Sequence, residues 1–119
     1  MAAIRELDFS AEVKPGAPAE LHLAGNADIA TLARFVVLLD ELHAALLLQG
    51  EREVVVDLCA LEFMSASVLN AIVEWLDKVQ ELPLERRYRL RFRSNDQILW
   101  QRRSLRTLSC FAVDLVTIE

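Results

Sequence analysis

A chain of 119 residues is long enough for one domain with a substantial core, and 54% hydrophobic with 26% charged residues excludes a disordered segment. Two cysteines, Cys59 and Cys110, exclude a disulfide framework and read as reduced thiols of a cytosolic protein. The net charge of −5 is uneven: 5 basic against 15 acidic residues up to Glu85, then 8 against 3 from Arg86 onward, so the two parts can attract each other or present faces of opposite sign.

In chain order, Ile4 to Val13 reads as a first strand, with Leu7, Phe9, Ala11 and Val13 alternating with Glu6, Asp8, Ser10 and Glu12. No basic-plus-apolar stretch precedes it, so a secretory leader is not expected. Lys14-Pro15-Gly16-Ala17-Pro18 is a turn, and Glu20 to Gly25 a second strand that should pair with the first as a hairpin. Asp28 can cap a helix from Ile29 to about Leu48, ended by Gly50. Its core stripe is Leu32, Phe35, Leu39, Leu42 and Leu46. Val37, Leu38, Leu47 and Leu48 fall off that stripe, which predicts deep burial or a covering partner. Arg34, Asp40, Glu41 and His43 interrupt the run and argue against membrane insertion.

Val54, Val55 and Val56 are consecutive β-branched residues, suited to a central strand covered on both faces. A short loop holding Cys59 and a hydrophobic anchor, Phe63-Met64, should follow. Ser65 can cap the next helix, Ala66 to Glu81, which buries Val68, Leu69, Ile72, Val73, Trp75, Leu76 and Val79. Asn70, Glu74, Asp77, Lys78 and Glu81 share its polar side, with Glu74 and Lys78 as an i,i+4 pair. Arg86 to Arg93 alternates Tyr88, Leu90 and Phe92 with Arg87, Arg89, Arg91 and Arg93, which suits a strand at an exposed face or sheet edge. Ser94 and Gln97 form a capping-box pattern ahead of a third helix, Asn95 to about Leu108, with Ile98, Leu105 and Leu108 inward. Val113 to Ile118 is a last short strand. The element order predicts an α/β domain over residues 1–119: a mixed sheet of about five strands with helices packed on one side.

Asp57-Leu58, the pair Phe63-Met64 and then Ser65-Ala66-Ser67-Val68-Leu69 resemble the signature of STAS domains, the bacterial anti-sigma-factor antagonists. In that family a strand ends in Asp-Leu, and a hydrophobic pair precedes Asp-Ser-Ser-Gly-Leu at the start of a helix. The likeness in element order runs from about Leu21 to the C-terminus, and Trp100-Gln101 followed by Ser104-Leu105 resembles a segment of one bacterial subgroup. The family's phosphorylated serine corresponds to Ala66 here, its aspartate to Ser65 and its glycine to Val68. A phosphoswitch would therefore need Ser65 or Ser67 as acceptor. The resemblance implies signal transduction and transcription regulation by contact with a protein partner: a serine kinase of the anti-sigma type, a phosphatase or a sensor module. It places the contact on Asp57, Met64, Ser65, Ala66, Ser67, Val68, Asn70 and Glu74.

The residues themselves leave alternatives open. Ser65 can be a plain N-cap and Ser67 a solvated helix residue; a phosphate on either would meet free N–H groups at the positive end of the helix. The arginines between Arg86 and Arg106 read as a salt-paired surface first, an acidic partner protein second, and nucleic acid last, because the whole chain is acidic. His22 and His43 stand alone, without metal-ligand spacing, and neither a metal nor a cofactor is expected. Cys59 has no His or Cys placed to activate it. The three glycines are isolated, which excludes a phosphate loop and a nucleophile elbow, so an enzyme is not expected. Rival readings are a self-associating scaffold, including a homodimer, built on the first helix, and a STAS-like subunit of a lipid-transport ATPase.

Overall fold

Six strands form one sheet whose spatial order follows the chain, in a computed structural model that describes residues 3–119. They are β1 (Ala3–Arg5), β2 (Phe9–Lys14), β3 (Ala19–Ala27), β4 (Glu53–Met64), β5 (Arg89–Arg93) and β6 (Val116–Ile118). Helices α1 (Leu32–Gln49), α2 (Ala66–Gln80) and α3 (Leu99–Phe111) link β3 to β4, β4 to β5 and β5 to β6. β1, β2 and β3 pair antiparallel; β3 to β6 pair parallel. The expected mixed sheet is present, with six strands rather than five.

The extra strand comes from a break in the first predicted one. The Glu6 N–H donates to the Phe9 carbonyl, turning the chain, and the Asn26 N–H donates to the Asp8 carbonyl. Gly25 makes the second contact possible: a Cβ there would stand 2.1 Å from the Asp8 oxygen. Leu7 sits on this turn, fully exposed, although it fits the alternation that buries Phe9, Ala11 and Val13.

Those three residues, Leu21 and Leu23 of β3, Val54, Val56 and Leu58 of β4, and Leu90 and Phe92 of β5 share one core with the inward faces of the helices. The opposite sheet face carries no helix. There the acidic first part of the chain meets the basic second part. Glu20 lies 2.8 Å from His22 and 3.3 Å from Arg93; Asp57 lies 3.5 Å from His22 and 3.9 Å from Arg93. Arg91 pairs with Glu53, and its Nε lies 2.8 Å from Glu119, off the line a hydrogen bond needs. The hydrogen bond from His22, aided by the Arg93 charge, holds the Glu20 carboxyl below its ordinary range. Val55 is buried on this face between Glu20 and Arg91, covered by charged side chains rather than by a second layer of helices.

β5 is not an edge, because β6 pairs along it. Arg87 leaves the predicted alternation altogether: it donates to the Gln80 and Leu82 carbonyls and caps the end of α2. Asp28 accepts from the Ala30 N–H and caps a 3-10 turn, Ile29–Thr31, that leads into α1; α1 itself starts after Thr31 without a side-chain cap, and Gly50 ends it at φ 66°. Leu38 is buried after all and Leu47 half-buried, which leaves Val37 and Leu48 as the exposed apolar residues of that helix. Lys78 pairs with Asp40 of α1 in place of Glu74, tying the two helices together.

A buried polar chain crosses the helix layer. The Trp75 indole N–H donates to the Tyr88 hydroxyl (2.6 Å), whose oxygen also lies 2.6 Å from His43 Nδ1. Indole can only donate; when the buried tyrosine gives its own proton to His43, the imidazole is neutral with its proton on Nε2. Burial and the nearby Lys78 charge hold the His43 pKa below 6.5, against a smaller opposing effect of Asp40. The unfolded chain therefore takes up a proton at His43 that the folded chain refuses. This contribution to stability is complete above pH 6.5 and declines as pH falls toward the lower folded value. The stability difference between wild type and His43→Gln, from urea unfolding, should narrow steadily as pH drops below 6.5; a pH-independent difference would contradict the neutral chain.

Candidate functional site

β4 carries two irregularities, and both shape its far end. Asp57 faces His22 and Ala60 faces Ala24, so three steps on β4 match two on β3; Leu61 to Phe63 repeats the mismatch against Gly25 and Asn26. Each is a bulge that adds one residue to β4. The expected loop from Cys59 to Met64 is thus a bent continuation of the strand. The bulges shift the side-chain alternation: Leu61 is buried, whereas Phe63, the expected anchor, is 47% exposed.

β5 pairs with β4 only as far as Asp57. Beyond that point side chains from α3 and its approach take over. Gln101, fully buried, donates to the Leu58 and Leu61 carbonyls (2.7 and 2.9 Å) and accepts from the Asn95 N–H. The Trp100 indole donates to the Glu62 carbonyl, and the Asn95 amide to the Cys59 carbonyl. Sequence reading misses these roles; the Trp100-Gln101 pair is their visible trace. The capping box does not form. The Ser94 hydroxyl donates to the Glu119 carbonyl, the Gln97 N–H donates to Asn95 Oδ1, and the helix starts only at Leu99, with Ile98 as an N-cap lacking a side-chain bond.

Ser65 closes the strand and opens α2. Its N–H donates to the Ala27 carbonyl (2.8 Å), and its Oγ accepts from the Val68 N–H (3.3 Å). Ala66, Asn70 and Glu74 follow at four-residue intervals, all exposed, and form one outward stripe. Met64, Ser65 and Ser67 are half-buried beside them. Two expected contact residues do not join this surface. Val68 is fully buried and supports the helix start from beneath. Asp57 lies on the helix-free sheet face, where its carboxylate accepts from the Cys59 N–H and faces His22 and Arg93.

The rim at the carboxyl ends of β3 and β4 also carries apolar residues that periodicity does not reveal. Leu7 stands on the turn bonded to Asn26, and Ile29, 70% exposed, follows the cap residue Asp28. With Phe63, paired to Asn26, they are exposed apolar residues at the same end of the sheet from which α2 starts. No reactive group is poised nearby. Burial and the adjacent Asp57 push the Cys59 thiol up. Among the described residues no cluster of His, Cys, Asp and Glu could hold a metal ion.

No family model and no curated relative matches the sequence. Among solved structures, an anti-sigma factor antagonist from Mycobacterium paratuberculosis superposes with a TM-score of 0.60 at 16% identity, over 86% of this chain and 80% of that one. The chain has the STAS fold. At that identity the likeness concerns backbone architecture alone. Among the described residues no helix is long and apolar enough to cross a membrane.

Gln101→Leu removes a donor from two buried carbonyls and an acceptor from the Asn95 N–H. It should cost at least about 2 kcal/mol in urea unfolding. It should also speed amide exchange at Phe63 to Ser65. A loss below about 0.5 kcal/mol would mean that water replaces the side chain.

Proposed function

We propose that this chain is a non-catalytic regulatory module read by a protein partner at the rim formed by Met64, Ser65, Ala66, Ser67, Asn70 and Glu74. The observation that carries this reading is the exposed α2 tip, with the exposed apolar residues Leu7, Ile29 and Phe63 at the same end of the sheet. Large apolar side chains on a solvent-facing rim are costly to leave bare and suit a surface that a second protein covers. The fold shared with an anti-sigma factor antagonist supports the same reading. It favours a partner of that class: a serine kinase of the anti-sigma type, a phosphatase or a sensor module, met in the cytoplasm as part of transcription control.

Ala66 stands where the family carries its phosphorylated serine, so any phosphate must fall on Ser65 or Ser67. The Ser65 hydroxyl is engaged as the N-cap. Ser67, half-buried in the first turn, carries no such bond among the described residues and is the preferred acceptor of the two. Intact mass of protein from its own host tests this: a phosphate that persists in Ser67→Ala and disappears in Ser65→Ala reverses the preference. Asp57 serves the tip indirectly, by fixing the bent strand through its bond to the Cys59 N–H. Self-association through α1 is less favoured, since of its large apolar side chains only Val37 and Leu48 are exposed.

Affinity capture from the host, with tagged wild type and variants, tests the rim. Ala66→Arg and Phe63→Asp should each reduce recovery of the captured partner by about tenfold or more while leaving the melting temperature within a few degrees. Equal recovery by wild type and both variants moves the contact elsewhere. Val68→Arg, by contrast, should unfold the domain, because it places a charge in a fully buried site.

A further inference from the structure

We propose that the groove between α3 and β6 receives an extended acidic segment of a partner protein, added as a seventh strand to the open edge of β6. The groove has a volume of about 490 Å³ and an apolar floor that includes Ile98, Leu105 and Ile118, with Leu99 86% exposed at its mouth. Arg102 and Arg106 stand on its helix wall. Both are exposed and, among the described residues, form no ion pair. The acidic residues lining the groove are Asp96 and Glu119, and the Glu119 carboxylate is already held by Arg91. The surplus charge is positive in an otherwise acidic chain.

The strand edge supplies the second half of the site. β6 is the last strand of the sheet. The Leu90 N–H donates to the Leu115 carbonyl, and Glu119 exchanges bonds with Phe92 and Ser94, so the odd-numbered residues face β5. By the alternation of a parallel ladder, Val116 and Ile118 turn their backbone groups away from it. The Val116 N–H folds back onto the Ala112 carbonyl, which leaves the Ile118 N–H and the Val116 and Ile118 carbonyls open. An added strand would take its main-chain bonds there.

The spacing selects the occupant. Arg102 and Arg106 are four residues apart on a helix, about 6 Å along its axis. Alternate residues of a strand are about 6.6 Å apart and point to the same side. Two carboxylates two positions apart on an added strand therefore reach both guanidiniums. This surface is separate from the α2 tip, and the proposal stands without the preceding one.

The test uses the full chain and two acetylated synthetic peptides of alternating residues, one glutamate–valine and one lysine–valine, followed by backbone amide NMR. The glutamate peptide should shift the amides of Ile118 and of Arg102 to Arg106, and bind more weakly as salt rises from about 50 to about 300 mM. Arg102→Glu combined with Arg106→Glu should weaken it by about tenfold or more without a change in melting temperature. Ile118→Pro removes the outward N–H together with the floor side chain and should weaken it more than Ile118→Ala, which removes the side chain alone, with both arginines intact. Several results would overturn the proposal: equal binding of both peptides, shifts confined to other elements, no shift at millimolar peptide, the same shifts from free glutamate, or a dimer of this chain that is lost with the arginine variants and closes the groove.

Discussion

The far half of β4 has no strand on its β5 side, and everything around the helix tip depends on how that deficit is met. A strand with open carbonyls inside a protein must find donors or lose its conformation. Here the donors come from one short segment, Asn95 to Gln101, which serves the carbonyls of Leu58, Cys59, Leu61 and Glu62. That substitution lets β4 bend through two bulges and still present Ser65 in place to cap α2. It also ties α3 to the tip: the inward side of its first turn grips the strand, while Leu99, Arg102 and Arg106 face the groove beside β6.

The uneven charge of the chain finds its use on the helix-free sheet face. Glu20, Glu53 and Asp57 from the acidic part lie across from Arg91 and Arg93 of the basic part, because β3 and β5 flank β4 in register. Half-exposed pairs of this kind add little individually, yet as a row they fix which strands are neighbours and keep an open face polar. The arginines used there and at the end of α2 are unavailable to a partner. Those left over are Arg86 and Arg89 around the start of β5 and Arg102, Arg103 and Arg106 on α3, so the basic character of the later sequence divides between structure and surface.

Much of the architecture was legible in the sequence. Period-two alternation marked β2, the valine run marked β4, Gly50 marked the end of α1 and Ser65 the start of α2, because each of these signals reflects a local steric or hydrogen-bonding rule. What the sequence hid was non-local. Leu7 obeys its strand's alternation and is excluded only because Asp8 meets Gly25, a residue of the next strand. Phe63 looks like an anchor until two bulges move its side chain outward. The Ser94–Gln97 box is locally sound, but Asn95 Oδ1 takes the Gln97 N–H, and the Glu119 carbonyl, distant in sequence, takes both the N–H and the hydroxyl of Ser94. At the candidate site the tip was legible and the exposed apolar residues at its end of the sheet were not: Ser65 as a cap follows from residue type, whereas Ile29 and Leu7 reach the same end only through the fold.

A surface with this construction needs no reactive side chain to carry information. The tip is held from three directions: Ser65 by the Ala27 carbonyl, Val68 by the core, and the strand behind it by α3. A partner therefore meets groups whose conformational entropy has already been lost on folding, which leaves more of the contact energy for affinity. The same rigidity makes small changes there consequential. A charge or phosphate within the first turn of α2 acts on free N–H groups at the positive helix end, at the same end of the sheet as the apolar residues a partner would cover.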